Sequence, residues 1–200
     1  MEQQERLLLI VGARLLAYPD ETFFDDIEDM KDEMKNDSTS MDTQQKATDA
    51  LQAFNPYAID ELQTEYVSTF DLRAKNGLYL TAHELGDSNK RGAALIKMQK
   101  IINQAGYERI DNDLSDYIPM LLEFLSVAPD SRDNERLIRR LSVAIHRIWS
   151  NLPEGNPYRP FLQLLMETVF PEPTKKEIEQ LEYEREEADL EELPFPITYQ

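Results

Sequence analysis

The run His83-Glu84-Leu85-Gly86-Asp87 is the stretch whose residue types and spacing come nearest to enzyme chemistry. It opens as a zinc-protease helix does, with a histidine followed by a glutamate. That chemistry needs a second histidine one helical turn on, and Asp87 holds the position instead. Gly86 also disfavours a helix there, and no third ligand is evident. The chain has two histidines, His83 and His146, and no cysteine, so thiolate metal sites, disulfides and a cysteine nucleophile are excluded. Gly86 and Gly92 do not make a phosphate cradle, because no lysine–serine ending follows them and no strand precedes them. A serine-hydrolase nucleophile elbow is absent. The residues point to binding and away from catalysis.

The elements that would position these residues read as helices. Apolar residues recur at three- and four-residue steps, and no segment alternates as a strand would. Met1 to Ala17 forms a largely buried first helix, closed by Tyr18-Pro19. Asp20 caps a second, with Phe23, Ile27, Met30 and Met34 as its stripe. After a polar loop at Asn36–Ser40, a weaker helix carries Ala47, Ala50, Leu51 and Phe54. Asn55-Pro56 has the form of an N-cap and N1 proline opening a helix with Ile59, Leu62, Tyr66 and Phe70. Asp71 to Asp87 is the least regular part. Ser88 caps a long helix that Gly106 ends, and a further helix starts near Asp116 with Pro119 in its first turn. Ser131 and Asn156-Pro157 open the last two core helices, and Pro171 and Pro173 stop them. These patterns predict an all-α, single-domain bundle of about eight helices over residues 1–171. An acidic tail, helical or disordered, follows over 172–200, with ten acids and three bases in residues 172–192.

Charge narrows the partners. The chain holds 39 acidic and 21 basic residues, a formal charge of −18. Such a surface repels nucleic acid and anionic lipid and speeds encounter with a basic partner, besides keeping the protein soluble. The start of the chain lacks the basic region of a signal peptide, and the apolar run Leu7–Leu16 is too short to span a bilayer. The expectation is a cytoplasmic protein.

Several side chains have both a structural and a binding use. Tyr66 and Phe70 lie on the apolar stripe of their helix, where core packing competes with ligand contact. Asp71 sits at that helix's C-terminus against the dipole, which calls for a compensating partner: Arg73, Arg91 or a cationic ligand. Asp87 and Arg91 flank Ser88 and either pair locally or meet a ligand. Asp116 suits the N-cap of the helix containing Pro119, with Tyr117 at N1. His146 and Trp149 read as packing within an amphipathic helix.

Three blocks taken together carry a resemblance. Tyr66, Thr69, Phe70 and Asp71 end one helix; Leu78, Leu80, His83, Gly86, Asp87, Ser88, Arg91 and Gly92 follow at fixed order; Asp116-Tyr117 then precedes Leu122-Glu123-Phe124-Leu125. This pattern resembles the NarJ-type nitrate reductase assembly chaperones of the TorD-like family, over about residues 1–170. Two departures stand out. The wider family has Asp-His where this chain has Asp116-Tyr117, and Ala82 and Leu85 stand where some members carry a further acid and histidine. The resemblance implies a non-enzymatic chaperone that binds the N-terminal, leader-like segment of the apo nitrate reductase α subunit. It implies support for inserting the molybdenum cofactor, molybdopterin guanine dinucleotide, into that client, with membrane attachment delayed until maturation. No cofactor is expected to bind the chaperone tightly, and it is expected as monomer or dimer. On that resemblance the client site comprises Tyr66, Phe70, Asp71, His83, Asp87, Arg91, Asp116 and Tyr117. The alternative client is another molybdoenzyme, such as a dimethyl sulfoxide or trimethylamine N-oxide reductase.

Overall fold

The computed structural model describes residues 1–36, 40–86, 88–108 and 113–181. Among them the chain is all-α, as the periodicity predicts. Nine α-helices are delimited: α1 (Gln3–Leu16), α2 (Phe23–Asn36), α3 (Met41–Gln52), α4 (Ile59–Tyr66), α5 (Leu80–Leu85), α6 (Lys90–Gln104), α7 (Ile118–Val127), α8 (Arg132–Asn151) and α9 (Arg159–Thr168). A π-helical turn, Val67–Asp71, continues α4. No helix among the described residues is long and apolar enough to cross a membrane.

The core forms around α1. Its leucines and Val11 are buried against α7, and α9 closes the other side. Each large apolar side chain fully buried there contributes about 1.5–3 kcal/mol relative to exposure. Gly12 sets the closeness of this packing: a Cβ at that position would lie 3.2 Å from Leu165 Cδ1 and 3.3 Å from Leu122 Cδ1. A second cluster is aromatic. Phe23, Phe54, Tyr66, Phe70 and Tyr158 pack edge to face, with centroids 4.8–6.2 Å apart.

Several helix starts differ from the sequence reading, each for a local reason. Asn55-Pro56 lies in a turn, and α4 begins at Ile59, where Glu61 Oε2 accepts the Ala58 amide at 2.9 Å. Asn156 gathers the Tyr158 amide at 3.0 Å, so α9 starts two residues past Asn156-Pro157. The N-cap of α6 is Asn89, while Ser88 Oγ accepts the Lys90 amide at 3.2 Å. The stretch from Asp71 is more ordered than expected: it opens on the end of the π-turn and contains α5, which Gly86 ends with φ 54°. Ser131 does cap α8, accepting the Asn134 amide at 3.1 Å.

Beyond Pro173 a helical stretch runs through residues 175–181. Glu177 pairs with Arg139 of α8 at 3.2 Å, and Leu181 is buried. The remainder of the acidic tail, 182–200, lies outside the described residues.

Candidate functional site

The three sequence blocks meet at one place. An isolated antiparallel bridge joins Tyr79 to Tyr117: the Leu80 amide donates to the Asp116 carbonyl at 2.9 Å, and the Ile118 amide to the Leu78 carbonyl at 2.8 Å. This bridge fixes the start of α7 beside the start of α5. The π-turn brings Phe70 and Thr69 inward while leaving Asp71 exposed. Such turns insert one extra residue per turn and re-aim side chains, and they cluster at functional sites.

Around the bridge the predicted residues divide into a front and a back. At the front, Tyr66, Phe70, Asp71 and Tyr117 line a cavity of about 480 Å³ together with Tyr18 and Tyr79. The Tyr66 hydroxyl donates to the Leu16 carbonyl at 3.1 Å and lies 3.4 Å from the Tyr117 hydroxyl. Tyr18 stands edge-on to Tyr66 with centroids 5.3 Å apart, and Tyr79 is tilted against Tyr117 at 5.5 Å. Burial, then the neighbouring Tyr117, pushes the Tyr66 phenol far above its ordinary range. Burial pushes the Tyr117 phenol up to about 12, with the Tyr66 hydrogen bond opposing. Both phenols are therefore neutral at physiological pH. They serve as hydrogen-bonding, aromatic surface rather than as acids or bases.

At the back, His83, Arg91 and Asp116 hold the front in place. Asp116 is fully buried. Its Oδ2 accepts the Thr81 amide at 3.0 Å and the Thr81 hydroxyl, and lies 3.7 Å from Arg91 Nη2. This corrects two expectations. Asp116 does not cap its own helix, whose N-cap is Tyr117, but caps α5 from outside. Its carboxylate also does not face solvent, so it cannot meet a docking chain directly. Arg91 is partly exposed, donates from Nε to Thr81 Oγ1 at 3.1 Å, and lies over the Tyr79 ring at 5.8 Å. His83 is buried, and its Nε2 donates to the Gly77 carbonyl at 2.6 Å, which pins the loop before the bridge. Next to it Glu84 takes Arg140 of α8 bidentately, both bonds at 2.6 Å. Asp87 lies outside the described residues. The described residues contain no group of three or more potential metal-ligating side chains.

The sequence missed a second, larger groove that joins the first. It has a volume of about 880 Å³ and runs between α1, α2 and α7. Tyr18, Asp113 and Tyr117 line both cavities. Its floor is apolar, with Ile10, Met30, Met120 and Val127, and Ile10 and Val127 are about half exposed. Its rim is acidic, with Asp29, Glu33 and Glu123, all exposed. Arg14 is the basic residue lining it, and its guanidinium is taken by Asp26 at 2.6 Å and Asp20 at 2.7 Å. Met30 sits on the stripe of α2, yet it is only half-buried where Met34 is buried, a difference that the sequence pattern does not carry.

Comparison with known proteins agrees with the three-block resemblance. The chain is similar to a probable nitrate reductase molybdenum cofactor assembly chaperone NarJ of Bacillus subtilis, 29% identical over 57% of this chain and 61% of the relative. It is similar to the corresponding NarW (probable) and NarJ chaperones of Escherichia coli, at 28% and 29% identity, over 66% and 64% of this chain. The matches span 54–61% of these relatives' own lengths. The profile of the family described as "Nitrate reductase delta subunit" matches residues 31–149, more than half of the chain and including the whole bridge region. The chain therefore belongs to the nitrate reductase delta subunit family.

Proposed function

We propose that this protein is an assembly chaperone for a respiratory nitrate reductase. It binds the N-terminal segment of the apo catalytic subunit, supports insertion of the molybdenum cofactor, and delays membrane attachment until that step is complete. The observation that carries the reading is the joined pair of cavities: an apolar floor and an aromatic pocket under an acidic rim. A client helix with one apolar and one basic face has the complementary pattern. Its apolar anchors enter the groove, and its lysines or arginines meet Asp29, Glu33, Glu123 and Asp71. Tyr66, Phe70 and Tyr117 form the contact wall, while His83, Arg91 and Asp116 hold that wall in shape. The three relatives are named as nitrate reductase molybdenum cofactor assembly chaperones, two of them as probable ones.

No nucleophile, base or metal set is needed for this work. The molybdenum cofactor belongs to the client, and the chaperone acts by holding the client's segment. We place the protein in the cytoplasm, where an apo subunit would be met before membrane attachment.

Co-purification tests the reading. Tagged protein expressed beside a nitrate reductase operon should retain the apo catalytic subunit in cells blocked in cofactor synthesis, and release it when synthesis is restored. Retention of a dimethyl sulfoxide or trimethylamine N-oxide reductase instead would reassign the client. Equal retention of apo and mature nitrate reductase would overturn the maturation role.

A further inference from the structure

The cavity wall formed by Tyr66, Phe70 and Asp71 rests on a polar network distinct from the His83, Arg91 and Asp116 set. Phe70 and Asp71 leave α4 through the π-turn Val67–Asp71. Thr69 lies in this last turn, where a helix has no further amides for its carbonyls. Asn76, which is buried, supplies the donor: its Nδ2 bonds the Thr69 carbonyl at 3.0 Å. Asn156, also buried, reaches the same turn from the connection between α8 and α9. Its Nδ2 donates to Thr69 Oγ1 and to Glu65 Oε1, both at 2.9 Å, and Thr69 Oγ1 donates to Glu65 Oε1 at 3.2 Å. Asn156 Oδ1 takes the Tyr158 amide at 3.0 Å, and the Tyr158 ring stands edge-on to Phe70 with centroids 4.8 Å apart. Asn76 ties a second wall as well. It stands between Ala74 and Gly77, which line the cavity, and the Gly77 carbonyl takes His83 Nε2 at 2.6 Å.

We propose that Asn76 and Asn156 are positioning residues of the client site. They hold the chain in its π-turn and so set Phe70 in the cavity wall and Asp71 beside it. The inference rests on the proposed chaperone role, because it concerns the same cavity. A π-turn holds one residue more than an α-turn. Relaxation to an α-turn would shift the residues that follow by one place, a rotation of about 100° about the helix axis. Phe70 and Asp71 could not then keep their present directions. The bonds from Asn76 and Asn156 span 7 and 87 residues of chain, so they fix a geometry that local helix propensity does not. A side-chain amide suits the task. It is uncharged, so its burial costs little once bonded, and it donates and accepts at one place. Neither asparagine is among the described residues lining the cavity, so each acts through the turn. Contact residues held to within about 0.5 Å by such a shell are what make a binding wall selective.

Two measurements on the full chain test it together: native-state hydrogen exchange, and calorimetric titration with a synthetic peptide from the N-terminus of the nitrate reductase catalytic subunit. The variants are Asn76→Ala, Asn156→Ala and Thr69→Val, with Leu141→Ala in the α8 core as a control that lowers global stability without touching the network. Thr69→Val keeps the side-chain shape and decides the matter where an alanine variant is too unstable to titrate. In the three network variants the Phe70, Asp71 and Leu72 amides should exchange about tenfold faster, while the slowest amides of α1 and α7 change less. Peptide affinity should fall about tenfold, the effect of one net hydrogen bond, and should hold in the folded control. Full affinity in a variant whose turn amides have quickened would overturn the inference and leave the chaperone reading in place. Unchanged exchange at the turn in the network variants would overturn it too, as would equal weakening of binding in Leu141→Ala. Failure of the wild type to bind the peptide would instead strike the chaperone reading, and the positioning role with it.

Discussion

The front and the back of the bridge region come from the same sequence blocks but have opposite surroundings. Tyr66, Phe70, Asp71 and Tyr117 line an open cavity. His83 and Asp116, from the same motifs, are at most 1% exposed and bond Gly77 and Thr81 through Nε2 and Oδ2. A motif residue is thus not always a contact residue. Four of the eight residues line the cavity, and three, His83, Arg91 and Asp116, brace the segments that form it.

Substitutions at the two sides should separate accordingly. Asp116→Ala removes the acceptor for the Thr81 amide and leaves Arg91 without its buried counter-charge; it should cost about 3 kcal/mol, read by urea unfolding. His83→Ala leaves the Gly77 carbonyl unpaired beside a small cavity and should cost about 2 kcal/mol in the same assay. On the open side, Asp71→Arg at the front cavity combined with Glu123→Arg on the rim of the adjoining groove changes two exposed side chains. Stability should stay within about 0.5 kcal/mol per substitution, while affinity for a basic client peptide should fall about tenfold. Equal loss of stability at front and back would break the comparison. Tyr117→Phe is milder still: losing the hydroxyl that faces Tyr66 should cost about 1 kcal/mol or less.

The tyrosine pair also predicts a pH dependence. The folded Tyr117 phenol titrates at about 12, above its ordinary value near 10. A raised folded-state value means that the folded protein favours the protonated form. The stability this contributes is complete below pH 10 and is lost as pH rises toward 12. Phenolate absorbance of Tyr117→Phe against wild type should show the missing group as one titrating near 12 while the protein stays folded.

Much of this architecture was legible in the sequence, and the exceptions have physical causes. Three-residue and four-residue periodicity marks the long helices, because a buried face must recur with the helix turn. Ser131 reads correctly as a cap because its side chain acts on its own helix, whereas Ser88 stands one residue before the α6 N-cap. Asp116 does not read correctly, because it caps a helix that is distant in sequence, and nothing local distinguishes the two uses. The starts at Asn55-Pro56 and Asn156-Pro157 missed by three and two residues, because a proline turn and an N1 proline share the same dipeptide. Of the motif residues, Tyr66, Phe70, Asp71 and Tyr117 line one cavity, while His83 and Asp116 lie buried behind it. The α1–α2–α7 groove was missed because it is built from the flanks of three helices, where an apolar residue such as Ile10 or Met30 looks like core until its neighbours are known.

The most direct test of the central claim is calorimetric titration of the full chain with a synthetic peptide from the N-terminus of the nitrate reductase catalytic subunit. It should be run at two salt concentrations and repeated with an Asp29→Arg, Glu33→Arg, Asp71→Arg variant. The account predicts saturable one-to-one binding to wild type that weakens with salt, and strongly reduced binding to a variant whose unfolding curve is unchanged. Undiminished, salt-insensitive binding to the folded variant would contradict it.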